Sequence, residues 1–238
     1  MNWIGLDIGG TKVRGVLWNG RRVVRALEFP TPTHEREFVK KLPALVASLA
    51  RRQTIRGIGI GAAGIVKKTT LIFSPNIPCI KKFDFRRLWP RPLPLCLDND
   101  ARCFARAEMI RGAGRGSQSL FGLTIGTGIG RAYGTKGRII KLKKFEYPEN
   151  WERKYQAIRK TQNSRKLAQF LGKKLSRLLI PFRPQVVVVG GGVLKHEKFF
   201  QMLRAELKTR LLTCKIRRAT IERNGAAVGA AFLFKNRT

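Results

Sequence analysis

The first part of the chain alternates apolar and polar residues in three short runs, which lie at Trp3–Ile8, Val13–Leu17 and Val23–Leu27. An alternation with a period of two is typical of β-strands, and strands this close in sequence predict an antiparallel meander. A helical pattern follows, with apolar residues three or four positions apart from Phe38 to Leu49, and then a buried-strand run at Ile55–Ile60. The start of the chain therefore predicts the order βββαβ.

The second half of the chain repeats this order. A strand at Leu95–Asp98 and a helix at Ala101–Arg111 complete the first half. The later elements are a strand at Leu120–Ile125, a hairpin reaching Ile140, a helix from Leu167 to Leu178, a strand at Val186–Val189, a helix from Phe199 to Leu207, a strand at Lys215–Ile221 and a closing helix at Gly225–Phe234. Two matched βββαβα halves predict a duplicated α/β fold with two lobes, residues 1–115 and 116–238, and a cleft between them. We expect the last helix to pack back on the first lobe.

The charge of the chain is strongly basic, because 49 Lys and Arg stand against 14 Asp and Glu and give a net charge of +35. Such a surplus favours anionic partners, and its scattered placement predicts only weak, non-specific binding of nucleic acid.

The four cysteines contain no C-x-x-C pair and lie far from both histidines. We therefore expect no zinc site, free thiols and a cytoplasmic location, without a signal peptide or a membrane span.

Three glycine turns follow predicted strands. They contain Gly9, Gly10, Thr11 and Lys12 in the first turn, Gly126, Thr127 and Gly128 in the second, and Gly190, Gly191 and Gly192 in the third. Exposed N–H groups in such turns suit phosphate oxygens, and glycine lets a flat adenine or ribose approach the backbone closely. Asp7 could hold Mg²⁺ through water beside the first turn. An ordinary hairpin turn remains the alternative for that segment.

A fourth glycine segment, Gly59–Gly64, matches the G-x-G-x-x-G dinucleotide fingerprint and follows a strand. That fingerprint must open a helix whose N-terminus faces the pyrophosphate. The following residues, Ile65–Thr70, are rich in β-branched side chains and lack a helical apolar period. We therefore reject a Rossmann site here.

The acid–base candidates are the two aspartates of Asp98-Asn99-Asp100, between a predicted strand and a predicted helix. A carboxylate beside an amide is suited to holding a hydroxyl and taking its proton. Either aspartate could instead cap the helix. Asn76 could add a second amide from the Ser74-Pro75-Asn76 turn, although a plain β-turn explains that segment equally well.

Taken in order, these motifs resemble those of the ROK family of repressors, open reading frames and sugar kinases, within the actin-like ATPase and hexokinase superfamily. The matching segments are Leu6–Lys12, Gly59–Val66, Ser74–Pro78, Asp98 through Glu108, Leu123–Gly130, Val187–Val193 and Gly225–Ala231. The resemblance implies a two-lobe, ribonuclease H-like fold and an ATP-dependent, glucokinase-like sugar kinase. The resemblance is also compatible with a homodimer.

The resemblance also implies roles for individual residues. Asp100 would be the base that deprotonates the sugar hydroxyl, and Asn76 and Asn99 would bind sugar hydroxyls. Asp7 would place Mg²⁺, and the glycine turns would hold ATP.

The chain departs from the family pattern after the second turn, where it lacks the E-I-G-H segment and the cysteine-rich zinc loop. Three acidic residues, Glu146, Glu149 and Glu152, stand there as candidates for the missing sugar contacts. They could equally form a solvated face. Arg131 replaces a glycine and would either crowd the cleft or add a cation to it. A catalytically degenerate protein that binds nucleotide, nucleic acid or a partner is therefore the alternative to a kinase.

Overall fold

The computed structural model describes residues 1–89, 93–142, 148–211 and 213–234. The strands are β1 (Asn2–Ile8), β2 (Lys12–Trp18), β3 (Val23–Pro30), β4 (Ile55–Ala62), β5 (Ile65–Lys67), β6 (Thr70–Phe73), β7 (Phe83–Asp84), β8 (Leu95–Asn99), β9 (Ser119–Ile125), β10 (Ile129–Thr135), β11 (Arg138–Ile140), β12 (Val186–Gly190) and β13 (Lys215–Arg218). The α-helices are α1 (Glu35–Ala50), α2 (Asp100–Arg111), α3 (Trp151–Lys160), α4 (Ser164–Leu179), α5 (Glu197–Lys208) and α6 (Gly225–Ala231).

The described chain divides into two units. The first contains Met1–Ala107 and the chain from Arg223 onward, and the second contains Glu108–Glu222. The chain passes from one unit to the other within α2, between residues 107 and 108, whereas the predicted boundary lay between residues 115 and 116. The assignment of separate functions to two lobes, and the cleft between them, stay predictions.

Each unit contains a five-stranded sheet, and the two sheets have the same strand order. The first runs β3-β2-β1-β4-β8 and the second runs β11-β10-β9-β12-β13. In both sheets the first three strands pair antiparallel and the last two pairings are parallel. This repeated topology confirms the predicted duplicated α/β fold.

The sheet of the first unit buries a different kind of surface on each face. Apolar side chains of β1 pack with α1 in one core, which includes Ile4, Leu6 and Phe38. The alternate position, Gly5, faces α6, where an added Cβ would lie 1.9 Å from the Ala227 carbonyl oxygen. Gly5 has no side chain, so the backbone of α6 can approach β1 directly.

The core of the second unit lies between its sheet and the helices α3, α4 and α5. Phe121 and Val187 from adjacent strands pack there with Leu171, Leu203 and the fully buried Tyr155. The leucines of α4 and α5 recur at the spacing that places them on one helix face. This core holds α3 beside the β9–β10 turn.

Helices α3 and α6 and strand β13 differ from the sequence expectations, since α6 ends at Ala231 rather than at Phe234. α3 was not predicted, although Trp151, Tyr155 and Ile158 have a helical spacing. β13 ends at Arg218 rather than Ile221, because the N–H groups of Thr220 and Ile221 donate to the Glu108 carboxylate instead of to a neighbouring strand. By contrast, a strand and not a helix follows Gly64, which agrees with the rejection of a Rossmann site.

We expect Gly59→Ala to destabilise the protein, because a Cβ there would lie 1.9 Å from the Ala230 carbonyl oxygen of α6. Overpacking of this kind costs typically about 1–3 kcal/mol. Gly128→Ala is the matched control, since no described atom lies within 4 Å of its added Cβ. Denaturant unfolding of both variants measures the difference, and equal stabilities would contradict this account of α6 packing.

Candidate functional site

Thr31 stabilises the turn between β1 and β2 through two hydrogen bonds. This residue was not predicted from the sequence. Its hydroxyl donates to the Gly9 carbonyl oxygen at 2.6 Å, and its N–H donates to the Thr11 carbonyl oxygen at 3.1 Å. Gly10 lies against Asn76, where an added Cβ would come within 2.6 Å of the Asn76 carbonyl oxygen. The first predicted phosphate turn and a predicted sugar ligand are therefore neighbours.

The turn that carries Asn76 is fixed by Ser74. The Ser74 hydroxyl oxygen accepts the N–H groups of Asn76 at 3.2 Å and Ile77 at 3.1 Å. Gly64 packs against this turn with φ +133°, and an added Cβ would lie 2.3 Å from the Phe73 carbonyl oxygen. Only glycine adopts this conformation at low cost, so Gly64 sets the distance between the two segments.

The three residues at the start of α2 have different partners. Asp98 forms ion pairs with Arg102 and Arg106, while Asn99 Oδ1 accepts the N–H groups of Ala101 at 3.0 Å and Arg102 at 3.3 Å. Asn99 is therefore the cap of the helix, a role that the sequence analysis offered to either aspartate. The Asn99 amide also donates to the Gly64 carbonyl oxygen at 3.1 Å. Both ends of this amide thus make bonds within the protein, and sugar binding by Asn99 stays a prediction.

Asp100 has a different environment from Asp98. Its carboxylate accepts a hydrogen bond from the adjacent Ala101 N–H at 2.9 Å. Burial raises the pKa of Asp100 above its ordinary value, although nearby N–H groups and the charge of Arg102 act in the opposite direction. A carboxylate with a raised pKa holds a proton more readily, which suits a general base working near neutral pH.

Asp7 lies at the carboxyl end of β1, in register with Gly61 of β4, and Gly61 is in turn in register with Asp98 of β8. Burial and the charge of Asp100 raise the pKa of Asp7 to about 7, against the opposing charges of Lys12 and Arg14. The two half-buried carboxylates thus repel each other at one edge of the sheet. A divalent cation would relieve this repulsion, so the chemistry of the pair fits Mg²⁺ at Asp7.

The cations beside Asp7 are also paired. Arg14, the cross-strand partner of Asp7, is buried and binds both Glu28 and the side-chain oxygen of Asn224. Lys12 forms an ion pair with Glu28 at 3.0 Å. Phosphate binding by Lys12 stays a prediction, and Arg14 is a neighbour of the site that sequence reasoning missed.

In the second unit, the structure brings the second and third glycine turns together. Gly191 has φ +103°, and an added Cβ would lie 2.5 Å from the carbonyl oxygen of Ile125, the last residue before the second turn. No described atom lies within 4 Å of the Cβ positions of Gly126, Gly128 and Gly192. The backbone of both turns is therefore open to close approach by a ligand, as binding of phosphate and adenosine would require.

Helix α3 is attached to the second turn by a side-chain hydrogen bond. The Tyr155 hydroxyl donates to the Gly126 carbonyl oxygen at 2.6 Å. Burial raises the pKa of Tyr155 to about 12, so the hydroxyl keeps its proton at neutral pH. Tyr155 was not among the predicted site residues.

The predicted acidic segment forms a cluster around Arg131, although Glu146 lies outside the described residues. The Arg131 guanidinium is buried and forms ion pairs with Glu149 at 3.1 Å and with Glu152. Trp151 donates from Nε1 to Glu149 at 2.8 Å. Glu152 is itself buried, which contradicts the alternative of a wholly solvated face.

Comparison with known proteins identifies the family. The model of the ROK family matches residues 3–143 and 140–237, which together span nearly the whole chain. The chain belongs to the ROK family.

Curated relatives of this ROK protein include sugar kinases. It is 35% identical over 135 residues to a glucokinase of Streptomyces coelicolor, an alignment that covers 53% of this chain and 41% of that protein. It is 30% identical over 144 residues to the N-acetylgalactosamine kinase AgaK of a Shewanella species, covering 58% of this chain and 46% of that protein. The chain thus aligns with less than half the length of these two relatives.

The fold of this ROK protein has counterparts among solved structures. A ROK family glucokinase from Streptomyces griseus, in complex with glucose and AMPPNP, superposes with a TM-score of 0.86 at 22% identity and covers 99% of this chain and 100% of that one. At this identity the likeness shows the fold, which is the actin-like ATPase fold that the motifs implied.

The described residues of this ROK protein contain no group of three or more His, Cys, Asp or Glu side chains arranged to hold a metal ion. No described helix combines the length and apolar character needed to cross a bilayer.

We expect Asp7→Asn to stabilise the protein. The ordinary pKa of Asp is 3.8, and in the folded protein it is about 7. Above pH 4 the unfolded state therefore releases a proton that the folded state keeps until about pH 7. The free energy of unfolding falls over this range, and this loss is the penalty for burying Asp7. Asparagine removes the penalty, which amounts to about 2–4 kcal/mol at full size.

Thermal unfolding at pH 5 and pH 8 measures this effect. The gain in Tm from Asp7→Asn is expected to be larger at pH 8 than at pH 5. A gain that does not depend on pH would show that Asp7 does not carry this burial cost.

Proposed function

We propose that this protein is an ATP-dependent sugar kinase that phosphorylates a hydroxyl group of a hexose or hexose derivative. The observation that carries the proposal is the continuous set of contacts in the first unit. Gly10 lies against Asn76, the Ser74 turn lies against Gly64, and Gly64 is bonded to Asn99, next to Asp100. A phosphate turn, two amides and a carboxylate with a raised pKa are thus assembled from segments far apart in sequence.

Asp100 is the proposed general base. Its carboxylate takes the proton of the sugar hydroxyl as that oxygen attacks the γ-phosphorus of ATP, and ADP leaves. Asp98 is unsuited to this role because Arg102 and Arg106 already hold its carboxylate. Burial favours the protonated form of Asp100 after the transfer, which increases its strength as a base.

The proposed sugar contacts are amides and carboxylates. Asn76 and Asn99 supply the amides, and Glu149 or Glu152 supplies a carboxylate, with Glu146 as a further candidate. Carboxylates make strong charge-assisted hydrogen bonds to hydroxyl groups. A hexose needs several such acceptors to present one hydroxyl to the γ-phosphate.

The proposed phosphate contacts are backbone N–H groups of the Gly9–Thr11 and Gly126–Gly128 turns, with the Gly190–Gly192 turn beside adenosine. The Gly9 and Gly126 N–H groups donate within these turns to the Lys12 and Gly128 carbonyl oxygens, so the other N–H groups of the turns are the proposed donors. Phosphoryl transfer depends mainly on positioning and on neutralising charge. Mg²⁺ bound with ATP would neutralise phosphate charge, and Asp7 is the residue that would place it. Thr31 and Tyr155 hold the two turns in shape through their hydroxyl groups.

The proposed substrate class rests on the names of relatives, which include glucokinase and N-acetylgalactosamine kinase. We therefore propose glucose, mannose, fructose and the N-acetylated hexosamines as the sugars to test. A coupled assay of ADP release with Mg·ATP identifies the preferred sugar. A cytoplasmic location and a homodimer remain predictions.

The second candidate function is a degenerate family member that binds nucleotide or nucleic acid without catalysis. Two observations favour it: the net charge of +35, and the pairing of Glu149 and Glu152 with Arg131. Turnover of any sugar in the assay above, abolished by a change at Asp100, would exclude it.

Asp100→Asn is expected to lower kcat by roughly 10²–10⁴-fold, the usual contribution of a general base. Binding of ATP should stay near that of the wild type, because Asp100 acts on the sugar hydroxyl. Steady-state kinetics and nucleotide titration measure the two effects.

Asp84→Asn is the matched control for this variant. It makes the same charge change in the first unit, at a carboxylate that accepts the Arg86 N–H at 3.0 Å, a bond that asparagine also makes. An Asp100→Asn variant with the kcat of this control would refute the assignment of the base.

The basic surface is expected to bind nucleic acid weakly and without sequence preference. Since Lys and Arg would release counterions from phosphates, the affinity should fall steeply as salt rises. Titration of duplex and single-stranded oligonucleotides of varied sequence measures this. Tight, sequence-selective binding at near-physiological salt would favour the second candidate function instead.

A further inference from the structure

Arg131 lies on β10, three residues after the second glycine turn, with its side chain only 2% exposed. Its guanidinium contacts Glu149 through Nη1, Glu152 through Nη2, and lies 6.0 Å from the centre of the Trp151 ring. Burial of a cation costs desolvation free energy, and this cost is offset only when its hydrogen bonds and its charge are satisfied. These contacts therefore fix the guanidinium, and through it the start of α3.

The two glutamates bound by Arg131 differ in exposure. The Glu152 side chain is 9% exposed, and it also accepts the Glu149 N–H at 3.1 Å. Burial raises the pKa of Glu152 above its ordinary value, although Arg131 acts in the opposite direction. Glu152 is thus an internal residue that links Arg131 to the helix.

The Glu149 side chain is 44% exposed, yet its carboxylate has a fixed orientation. Oε1 accepts from Arg131 at 3.1 Å, and Oε2 accepts from Trp151 at 2.8 Å. Each carboxylate oxygen can accept more than one hydrogen bond. The carboxylate oxygens of Glu149 can therefore accept further hydrogen bonds from solvent or a ligand, while Arg131 and Trp151 fix their orientation.

Helix α3 is attached at a second point, one turn further along. The Tyr155 hydroxyl donates to the Gly126 carbonyl oxygen, so the helix that begins at Trp151 also contacts the second phosphate turn. This second attachment does not involve Arg131. Loss of Arg131 should therefore affect the orientation of Glu149 more than the phosphate turn.

We propose that Arg131 is a positioning residue for sugar recognition: it orients the Glu149 carboxylate to accept hydrogen bonds from sugar hydroxyls. The inference rests on the proposed function and assigns different roles to Glu149 and Glu152. Glu149 contacts the sugar, whereas Glu152 neutralises Arg131 and anchors α3. A rigid acceptor loses less conformational freedom on binding than a mobile one, which increases affinity.

The central test replaces the buried pair with apolar side chains, in the double variant Arg131→Met/Glu152→Met. Such a replacement is often neutral for stability, so Tm should stay near that of the wild type. The sugar KM should nevertheless rise roughly 10–100-fold, the value of a charge-assisted hydrogen bond. The ATP KM should change little, because Tyr155 still holds the turn.

The control is Glu206→Met/Arg210→Met, which removes an ion pair at the end of α5 in the same unit, with N–O distance 2.8 Å. This control should leave both KM values unchanged. A purely structural role for Arg131 predicts that a double variant with normal Tm also has a normal sugar KM. That result would overturn the proposal.

A second variant keeps the proposal testable if the double Met variant does not fold. Arg131→Lys retains the charge but cannot contact two carboxylates in a fork. Its effect on the sugar KM should not add to that of Glu149→Gln, because both act through the same carboxylate. Full additivity of the two effects would contradict positioning through Glu149.

Calorimetric titration with D-glucose and N-acetyl-D-glucosamine separates this inference from the kinase proposal. Sugar binding by the wild type without turnover would refute the kinase, while the same variants would still test Arg131 through Kd. A wild type that neither binds nor phosphorylates either sugar would overturn both.

Discussion

Parallel pairing of β1, β4 and β8 is the constraint on which the candidate site depends. Because the carboxyl ends of parallel strands meet at one edge of a sheet, Asp7, Gly61 and Asp98 lie in adjacent register positions. Helix α2 then begins at Asp100, directly beyond that edge. The second unit repeats the arrangement, with Gly190 of β12 paired to Thr124 of β9, so two of its glycine turns are neighbours.

Glycine at buried positions lets helices and turns approach these sheets closely. Gly5 and Gly59 allow the backbone of α6 to contact β1 and β4, while Gly10 allows Asn76 to contact the first turn. Any side chain at these positions would overlap backbone atoms. The glycines thus have two distinct roles, because those at Gly126, Gly128 and Gly192 instead leave space that no described atom fills.

The charges of the site are organised by pairing, despite the large basic surplus. Lys12 and Arg14 share Glu28, Asp98 is held by two arginines, and Glu149 and Glu152 share Arg131. Asp7 and Asp100 differ from these carboxylates, because burial raises the pKa of each, and the charge of Asp100 raises the pKa of Asp7 further. A raised pKa at a candidate base is the electrostatic feature that most favours catalysis over passive binding.

The sequence by itself determined the strands of the two five-stranded sheets, the glycine turns, the duplicated order of elements and the family, because these follow from local periodicity and from motifs in a fixed order. Only the tertiary structure showed that Asn99 rather than an aspartate caps α2, that Glu108 ends β13, and that Arg131 binds Glu149 and Glu152. Glu108 and Ile221 are 113 residues apart, and Arg131 and Glu152 are 21 apart. Periodicity describes which face a residue occupies, whereas the partner of a buried charge depends on which distant segment the fold places against it.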